Sequence, residues 1–172
     1  MQHYKHLFAF VLACGLLFNG CKADTGTKSQ TARLIEPCEL ITKTDAETLL
    51  GEPVKEAEKS EKKAVGMQLC MYNPQHEDSW AFLQVTLTQP AFMPENGLPP
   101  SEIFHTIKDA MSENRTDLTG YGDEAFIATG GLYILIDERY ISIGAGNIDR
   151  PQIQERLKAA GKTALNNLAK LQ

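Results

Sequence analysis

The cysteines are the residues in this chain with the widest range of possible chemistry. The chain starts with an apolar segment that contains Cys14 and is followed by Cys21. Cys38 and Cys70 lie well beyond this segment. If the chain is exported, pairing of Cys38 with Cys70 is the default, and the disulfide would tie the start of a domain to its second strand. A metal pair and a catalytic thiol are the alternatives.

Histidines and carboxylates offer little support for metal binding or acid–base catalysis. His76 lies in a turn beside Glu77 and Asp78, and His105 adjoins the apolar stripe of a predicted helix. A metal site needs more ligands than Cys38, Cys70 and these two histidines supply. An acid–base set needs a second partner, which the sequence does not identify. We therefore predict no metal site and no cofactor.

Other motifs that could indicate an enzyme are absent or incomplete. There is no Gly-x-Ser-x-Gly elbow and no Gly-Lys-Ser/Thr. Gly144-Ala-Gly-Asn147 lacks a third glycine and a βαβ context, so it is interpreted as a turn. Asp123 and Glu124 would point to opposite sides of an extended segment, which makes them a poor catalytic pair. We expect that the protein is not an enzyme.

The first residues have the pattern of a secretory signal peptide. Lys5 and His6 precede the apolar run Leu7–Phe18, and Asn19-Gly20-Cys21 follows. Leu17-Phe18-Asn19-Gly20-Cys21 resembles a bacterial lipobox, in which the cysteine is acylated and becomes the new N-terminus. Cleavage before Cys14 is the alternative, but it leaves a shorter apolar core. We predict a signal peptide over residues 1–20 and lipidation at Cys21.

A lipidated Cys21 would place the protein in the cell envelope. Two or three acyl chains are enough for stable anchoring in a bilayer. Residues 21–36 are mostly polar and are interpreted as a flexible tether to a single domain over residues 37–172. Because Lys22 and not Asp follows the cysteine, a Gram-negative host would hold the protein on the periplasmic face of the outer membrane.

The charge balance argues against a nucleic-acid-binding protein. The chain has 172 residues, with 17 Lys and Arg against 22 Asp and Glu, and a formal net charge of -5. A nucleic-acid-binding surface normally shows a basic excess. The length leaves room for one domain.

Three helices are predicted from capping signals and apolar stripes. Thr42 begins a capping box, and Gly51 ends a helix over about 43–50. Ser101 is a candidate cap for a helix over about 102–113. Asp149 is a candidate cap for a final helix that has Pro151 near its start.

Six strands are predicted between these helices. The charged segment 55–63 is interpreted as a solvated edge strand or loop, and five further segments have strand character. The strand 80–88 alternates, with Leu83, Val85 and Leu87 on one face and polar residues on the other. The five segments are 68–72, 80–88, 124–128, 132–136 and 140–143.

The order of elements predicts an α+β fold. The order α-β-β-β-α-β-β-β-α with short turns indicates a largely antiparallel sheet of about six strands, with three helices covering one face. An αβββ unit occurs twice in this order, which suggests a pseudo-repeat.

The loop 89–100 is the candidate binding loop. It is rich in proline and carries three apolar residues, Phe92, Met93 and Leu98. Loops of this kind often bind partners. Packing of the same residues as a lid over the core is the alternative.

Four motifs resemble those of small bacterial lipoproteins of unknown function, best known from actinobacteria. They are Pro37-Cys38-Glu39-Leu40-Ile41-Thr42, Leu50-Gly51-Glu52-Pro53-Val54, Cys70-Met71-Tyr72 and Gly122-Asp123-Glu124-Ala125-Phe126. The resemblance implies an α+β fold and the disulfide, and it implies no activity. Some of these lipoproteins are compared with extracellular sensor domains of bacterial kinases, which suggests ligand binding.

These observations lead to one expectation of function and one alternative. We expect a membrane-anchored extracytoplasmic binding or accessory module for an envelope protein or component. The alternative is a carrier or sensor for a small molecule or lipid, with a cavity between the sheet and the helices. A buried apolar cavity larger than a few hundred Å³ would favour the alternative.

Overall fold

The computed structural model of the protein describes residues 33–172. The predicted signal peptide, Cys14, Cys21 and most of the predicted tether lie outside the described residues. Their assignments therefore stay predictions.

Four helices and seven strands make up the described part of the chain. The helices are α1 (Pro37–Leu40), α2 (Lys43–Leu50), α3 (Pro100–Ala110) and α4 (Pro151–Leu171). The strands are β1 (Glu58–Lys62), β2 (Met67–Tyr72), β3 (Leu83–Thr88), β4 (Thr116–Leu118), β5 (Glu124–Ala128), β6 (Gly131–Ile136) and β7 (Arg139–Gly144). Of the helices within residues 33–172, none has the combined length and apolar character needed to cross a bilayer.

The strands form one antiparallel sheet in the order β1-β2-β3-β7-β6-β5-β4. Two meanders, β1-β2-β3 and β4-β5-β6-β7, meet where β3 pairs with β7. The charged strand β1 lies at one edge, and all five of its residues are exposed. Charged residues on an edge strand discourage pairing with another chain. The α+β class and the antiparallel sheet are thus confirmed.

The sheet has seven strands and the described chain has four helices, where about six strands and three helices were expected. The additional elements are the one-turn helix α1 and the three-residue strand β4. Both are too short to show a hydrophobic period in the sequence. Each of the six predicted strands has a counterpart among the other strands.

The first face of the sheet carries the main core. Helices α1, α2 and α4 lie against it, and α4 contributes Leu157, Ala160, Ala164 and Leu168 to the buried cluster. The alternate residues of β3 supply the sheet side, as the sequence pattern predicts: Leu83, Val85 and Leu87 are fully buried.

The expectation that helices cover only one face is wrong, because α3 packs on the second face. Phe104 of α3 is fully buried against Phe126, Tyr133 and Tyr140 of the sheet. The rings of Phe104 and Phe126 lie 5.4 Å apart between centroids. Strands β5 and β6 have consecutive apolar residues, and this pattern is typical of strands buried on both faces.

The disulfide Cys38–Cys70 joins α1 to β2. The two Cα atoms lie 5.4 Å apart, and the bond closes a loop with a sequence separation of 32 residues. Of the alternatives considered from the sequence, the disulfide is the one the structure contains. On the chain-entropy account a loop of this size adds about 3 to 4 kcal/mol to the free energy of unfolding.

The ends of several elements differ from expectation. Ile35, within the predicted tether, is buried, and its backbone N–H donates to the Gln89 side chain over 3.1 Å. The N-cap of α3 is Pro99 and not Ser101, and the N-cap of α4 is Arg150 and not Asp149. In both helices a proline occupies the first turn, where its fixed φ suits the start of a helix. Helix α2 has the predicted bounds and the predicted capping box.

Candidate functional site

The second face of the sheet is covered by a helix over only half its width. Helix α3 covers β5, β6 and part of β7, and leaves β2 and β3 without a helix above them. The strand register places Leu69 opposite Thr86, and Thr86 opposite Ser142, so these side chains share the uncovered surface.

A groove of about 620 Å³ lies over this uncovered half. The sheet forms its floor, and its walls come from Ile103 and Ile107 of α3, from the turn around Val65, and from the loop 89–100. The volume lies within the range of small-molecule sites, roughly 300 to 1,000 Å³. We call this space the groove.

The groove has no charged residue among its fifteen lining residues. The lining residues are Ala64, Val65, Met67, Leu69, Gln84, Thr86, Thr88, Met93, Asn96, Gly97, Leu98, Ile103, Ile107, Tyr140 and Ser142. Charged residues make up 23% of the whole chain. The lining is therefore suited to a neutral, largely apolar molecule.

Two of the three predicted loop residues line the groove. Met93 and Leu98 face it, whereas Phe92 lies in the short 3₁₀ turn Pro90–Phe92 and is not among the lining residues. Leu98 is 59% exposed at the rim. The loop thus forms a wall of the groove, and its role as a binding loop stays a prediction.

Met93 holds the loop against the rest of the protein. Its side chain passes so close to Gly66 that a Cβ there would overlap the sulfur, and a Cβ at Gly97 would lie 2.7 Å from its methyl carbon. Gly66 also has a φ of 61°, in the left-handed region that favours glycine. Two glycines thus make a notch that a methionine fills.

The floor of the groove is uncharged and carries several hydroxyl groups. The Thr86 and Ser142 hydroxyl oxygens are 2.6 Å apart and share a hydrogen bond. Burial raises the pKa of the Tyr140 hydroxyl far above its usual range, so this group stays protonated. A ligand here would meet hydroxyl donors and acceptors along the floor and apolar side chains on the walls.

The sequence placed the polar residues of β3 on the face opposite Leu83, Val85 and Leu87, and helices were expected on one face of the sheet only. Thr86 and Thr88 are instead only 5% and 3% exposed, because the loop and α3 enclose them. The available signal was the set of apolar residues in the proline-rich loop, of which Met93 and Leu98 line the same groove as these threonines.

His105 has a partner that the sequence did not reveal. Its Nε2 lies 2.8 Å from one oxygen of Glu124, and the Lys108 ammonium donates to the other over 2.6 Å. Lys108 first, and then His105, lower the pKa of Glu124. The cluster joins α3 to β5 at the surface.

Asp123 and Glu124 do not form a catalytic pair. The Asp123 carboxylate accepts from the backbone N–H of Asp137 over 2.9 Å, at the turn between β6 and β7. Glu124 is instead bound to α3. No group of three or more His, Cys, Asp or Glu side chains suited to a metal ion occurs within residues 33–172.

Comparison with known proteins gives no relative from which a function could be inferred. No protein-family model, no curated protein and no solved structure matches this chain.

Proposed function

We propose that the protein is a membrane-anchored extracytoplasmic module that binds a small, uncharged, largely apolar molecule in the groove. The observation that carries this proposal is the groove itself, about 620 Å³ in volume and lined by fifteen uncharged residues. A volume within the range of small-molecule sites, roughly 300 to 1,000 Å³, supports a carrier or sensor.

The lining supports a ligand with two kinds of surface. Thr86, Ser142 and Tyr140 supply hydroxyl groups on the floor, where buried polar groups need hydrogen-bond partners. Leu69 on the floor and Ile107 on the wall formed by α3 supply apolar contacts. A mainly hydrocarbon molecule with a few hydroxyl or carbonyl groups along one side fits this distribution.

An envelope protein or component is the second candidate partner. Two large apolar side chains at the rim favour it, since Leu98 is 59% and Val65 is 48% exposed. Exposed apolar residues around a groove are typical of interaction surfaces.

Attachment to the envelope through an acylated Cys21 belongs to the same proposal. Its support is the lipobox-like segment ending at Cys21, together with the resemblance of residues 37–170 to small bacterial lipoproteins. Labelled palmitate should enter the native protein and should be lost from a Cys21→Ala variant. Continued labelling of that variant would reject Cys21 and make Cys14 the candidate.

Native mass spectrometry on protein gently extracted from its own membrane tests the nature of the partner. A co-purifying small mass, lost in a Leu98→Asp variant, is the expected result. A co-purifying protein and no small mass would reject the small-molecule proposal in favour of the second candidate.

The αβββ pseudo-repeat stays a proposal. Its support is that β3 and β7, the last strands of the two meanders, are paired at the centre of the sheet.

A further inference from the structure

The only tryptophan of the chain is 95% exposed. Trp80 lies in the segment that connects β2 to β3, immediately before Ala81 and Phe82. A tryptophan normally buries most of its large surface, so an indole in full contact with water contributes almost nothing to folding. Its presence there calls for an explanation in terms of binding.

Trp80 borders a second, shallow cleft of about 500 Å³. Phe82, Asn73 and His76 also line this cleft. The second cleft and the groove have one lining residue in common, Gln84. The second cleft is therefore a separate place on the molecule, and it is not needed for the function proposed above.

The second cleft has a fixed frame. The Asn73 side chain donates to Glu58 over 2.9 Å, and the Ser79 hydroxyl donates to Glu52 over 2.8 Å. The Gln75 amide donates to the carbonyl of Val54 over 3.1 Å. These three bonds hold the segment that carries Trp80 against β1 and the chain just before it, so the indole is presented from an anchored segment.

Other polar side chains in the second cleft have no internal partner. Within residues 33–172, no hydrogen bond or ion pair involves the side chains of Lys55, His76, Glu77 and Gln84. Together they offer an ammonium, an imidazole, a carboxylate and an amide around one exposed aromatic ring. Donors and acceptors are thus both available to a ligand.

We propose that the second cleft binds a sugar ring of a glycan. One face of a pyranose carries C–H groups that pack on an indole, while the hydroxyls at its edge accept and donate hydrogen bonds to planar polar side chains. Trp80 would provide the platform, and Glu77 and Gln84 would bind the hydroxyls. The carboxylate of Glu77, which lines the same cleft as the indole, disfavours insertion into an anionic bilayer and disfavours a phosphate backbone.

Because Trp80 is the only tryptophan, its fluorescence reports on this cleft alone. The full-length protein is titrated with tetrasaccharides of glucose, galactose, mannose and N-acetylglucosamine, each to about 10 mM, tenfold above a weak dissociation constant of about 1 mM. We expect a saturable blue shift with at least one of them. No shift with any of the four would overturn the proposal.

A second arm separates a soluble glycan from a glycolipid headgroup. Phosphatidylcholine vesicles with and without a galactosyl diacylglycerol are added to the same protein. A shift only with the sugar-bearing vesicles supports the proposal and identifies a headgroup as a source. An equal shift with both kinds of vesicle, and none with the tetrasaccharides, would mean that Trp80 contacts the membrane, and would overturn it.

Calorimetric titration of variants completes the test. Trp80→Ala should weaken sugar binding at least about tenfold, and Glu77→Ala should weaken it severalfold. Leu34→Ala, which changes another exposed apolar residue outside the second cleft, should bind as the native protein does. All three variants should have the same unfolding temperature as the native protein. An unchanged affinity of Trp80→Ala for the sugar would contradict the proposal. Leu98→Asp should lose binding in the groove and should keep sugar binding in the second cleft. The two proposals can therefore fail separately.

Discussion

At the scale of single residues, the contact between Met93 and Gly66 determines how the loop 89–100 is held. Gly66 has a φ of 61° and Gly51 has a φ of 79°, but the space around a Cβ at Gly51 is empty, whereas at Gly66 it is filled by Met93. Comparing substitutions at the two glycines therefore distinguishes the effect of backbone strain from the effect of displacing the loop.

Replacing these glycines by alanine gives a matched pair of variants. Gly51→Ala should lower the free energy of unfolding by about 1 to 2 kcal/mol, the cost of the left-handed conformation. Gly66→Ala should lower it further and speed hydrogen exchange of residues 89–100, because Met93 must leave the notch. Denaturant unfolding and hydrogen exchange measure both effects. Equal losses with unchanged exchange in the loop would contradict the role given to Met93.

Tyr72 gives a prediction that depends on pH. Its hydroxyl donates to the carbonyl of Ile41 over 2.7 Å, and burial raises the pKa of Tyr72 to about 12. An unfolded tyrosine has a pKa of about 10. Because the folded pKa is the higher one, the contribution of this group is complete below about pH 10 and is lost as the pH rises towards 12.

Tyr72→Phe removes this bond and leaves the Ile41 carbonyl without its partner. At pH 7 the variant should be less stable by about 1 to 2 kcal/mol. Above about pH 10 the difference in unfolding free energy between the two proteins should narrow. The reason is that folding must keep Tyr72 protonated, and the variant has no group there that ionises. Urea unfolding at several pH values measures the difference. A difference in unfolding free energy that widens as the pH rises would contradict a raised pKa of Tyr72 in the folded protein.

Residue-level expectations succeeded where the signal was local. The Thr42 capping box and the Gly51 cap could be predicted because both depend on neighbours within one turn. The partner of His105 could not, since Glu124 lies in another element and reaches His105 only after α3 packs on the sheet.

At the scale of elements, the disulfide attaches the short helix α1 to β2. A four-residue helix has little stability of its own. Cys70 is fully buried within the main core. The bond therefore holds α1 against the first face of the sheet.

Removing the disulfide should destabilise the whole domain. A Cys38→Ala/Cys70→Ala variant should lose about 3 to 4 kcal/mol of unfolding free energy, and reduction of the native protein should cause a similar loss. Thermal unfolding with and without reductant measures both. Peptide mass spectrometry that finds Cys38 and Cys70 as free thiols in the native protein would reject the bond.

The sequence predicted most of the helices and strands, but it did not predict which face of the sheet each helix covers. Alternation in β3 correctly identified its buried face. The consecutive apolar residues of β5 and β6 are typical of strands buried on both faces, but all the helices were expected on one face. Which helix would cover the second face depends on how β3 pairs with β7, a contact between distant parts of the chain.

At the scale of the whole molecule, the groove results from unequal coverage of the sheet. Three helices cover the first face, and one helix covers half of the second. The loop 89–100 borders the remaining half, and the uncharged groove lies between this loop and α3. The sequence identified Met93 and Leu98 in this loop, but the floor residues come from three separate strands and could be assembled only by the fold.

Binding of an uncharged apolar probe to the groove is the measurement that tests the central claim most directly. Nile red fluorescence is titrated with the native protein, with Leu98→Asp, and with Leu34→Asp as a matched change of an exposed leucine away from the groove. A bound apolar molecule would have to desolvate the new carboxylate at position 98. The account predicts saturable binding that Leu98→Asp weakens at least about tenfold and Leu34→Asp leaves unchanged. Absence of saturable binding, or equal binding by all three proteins, would contradict it.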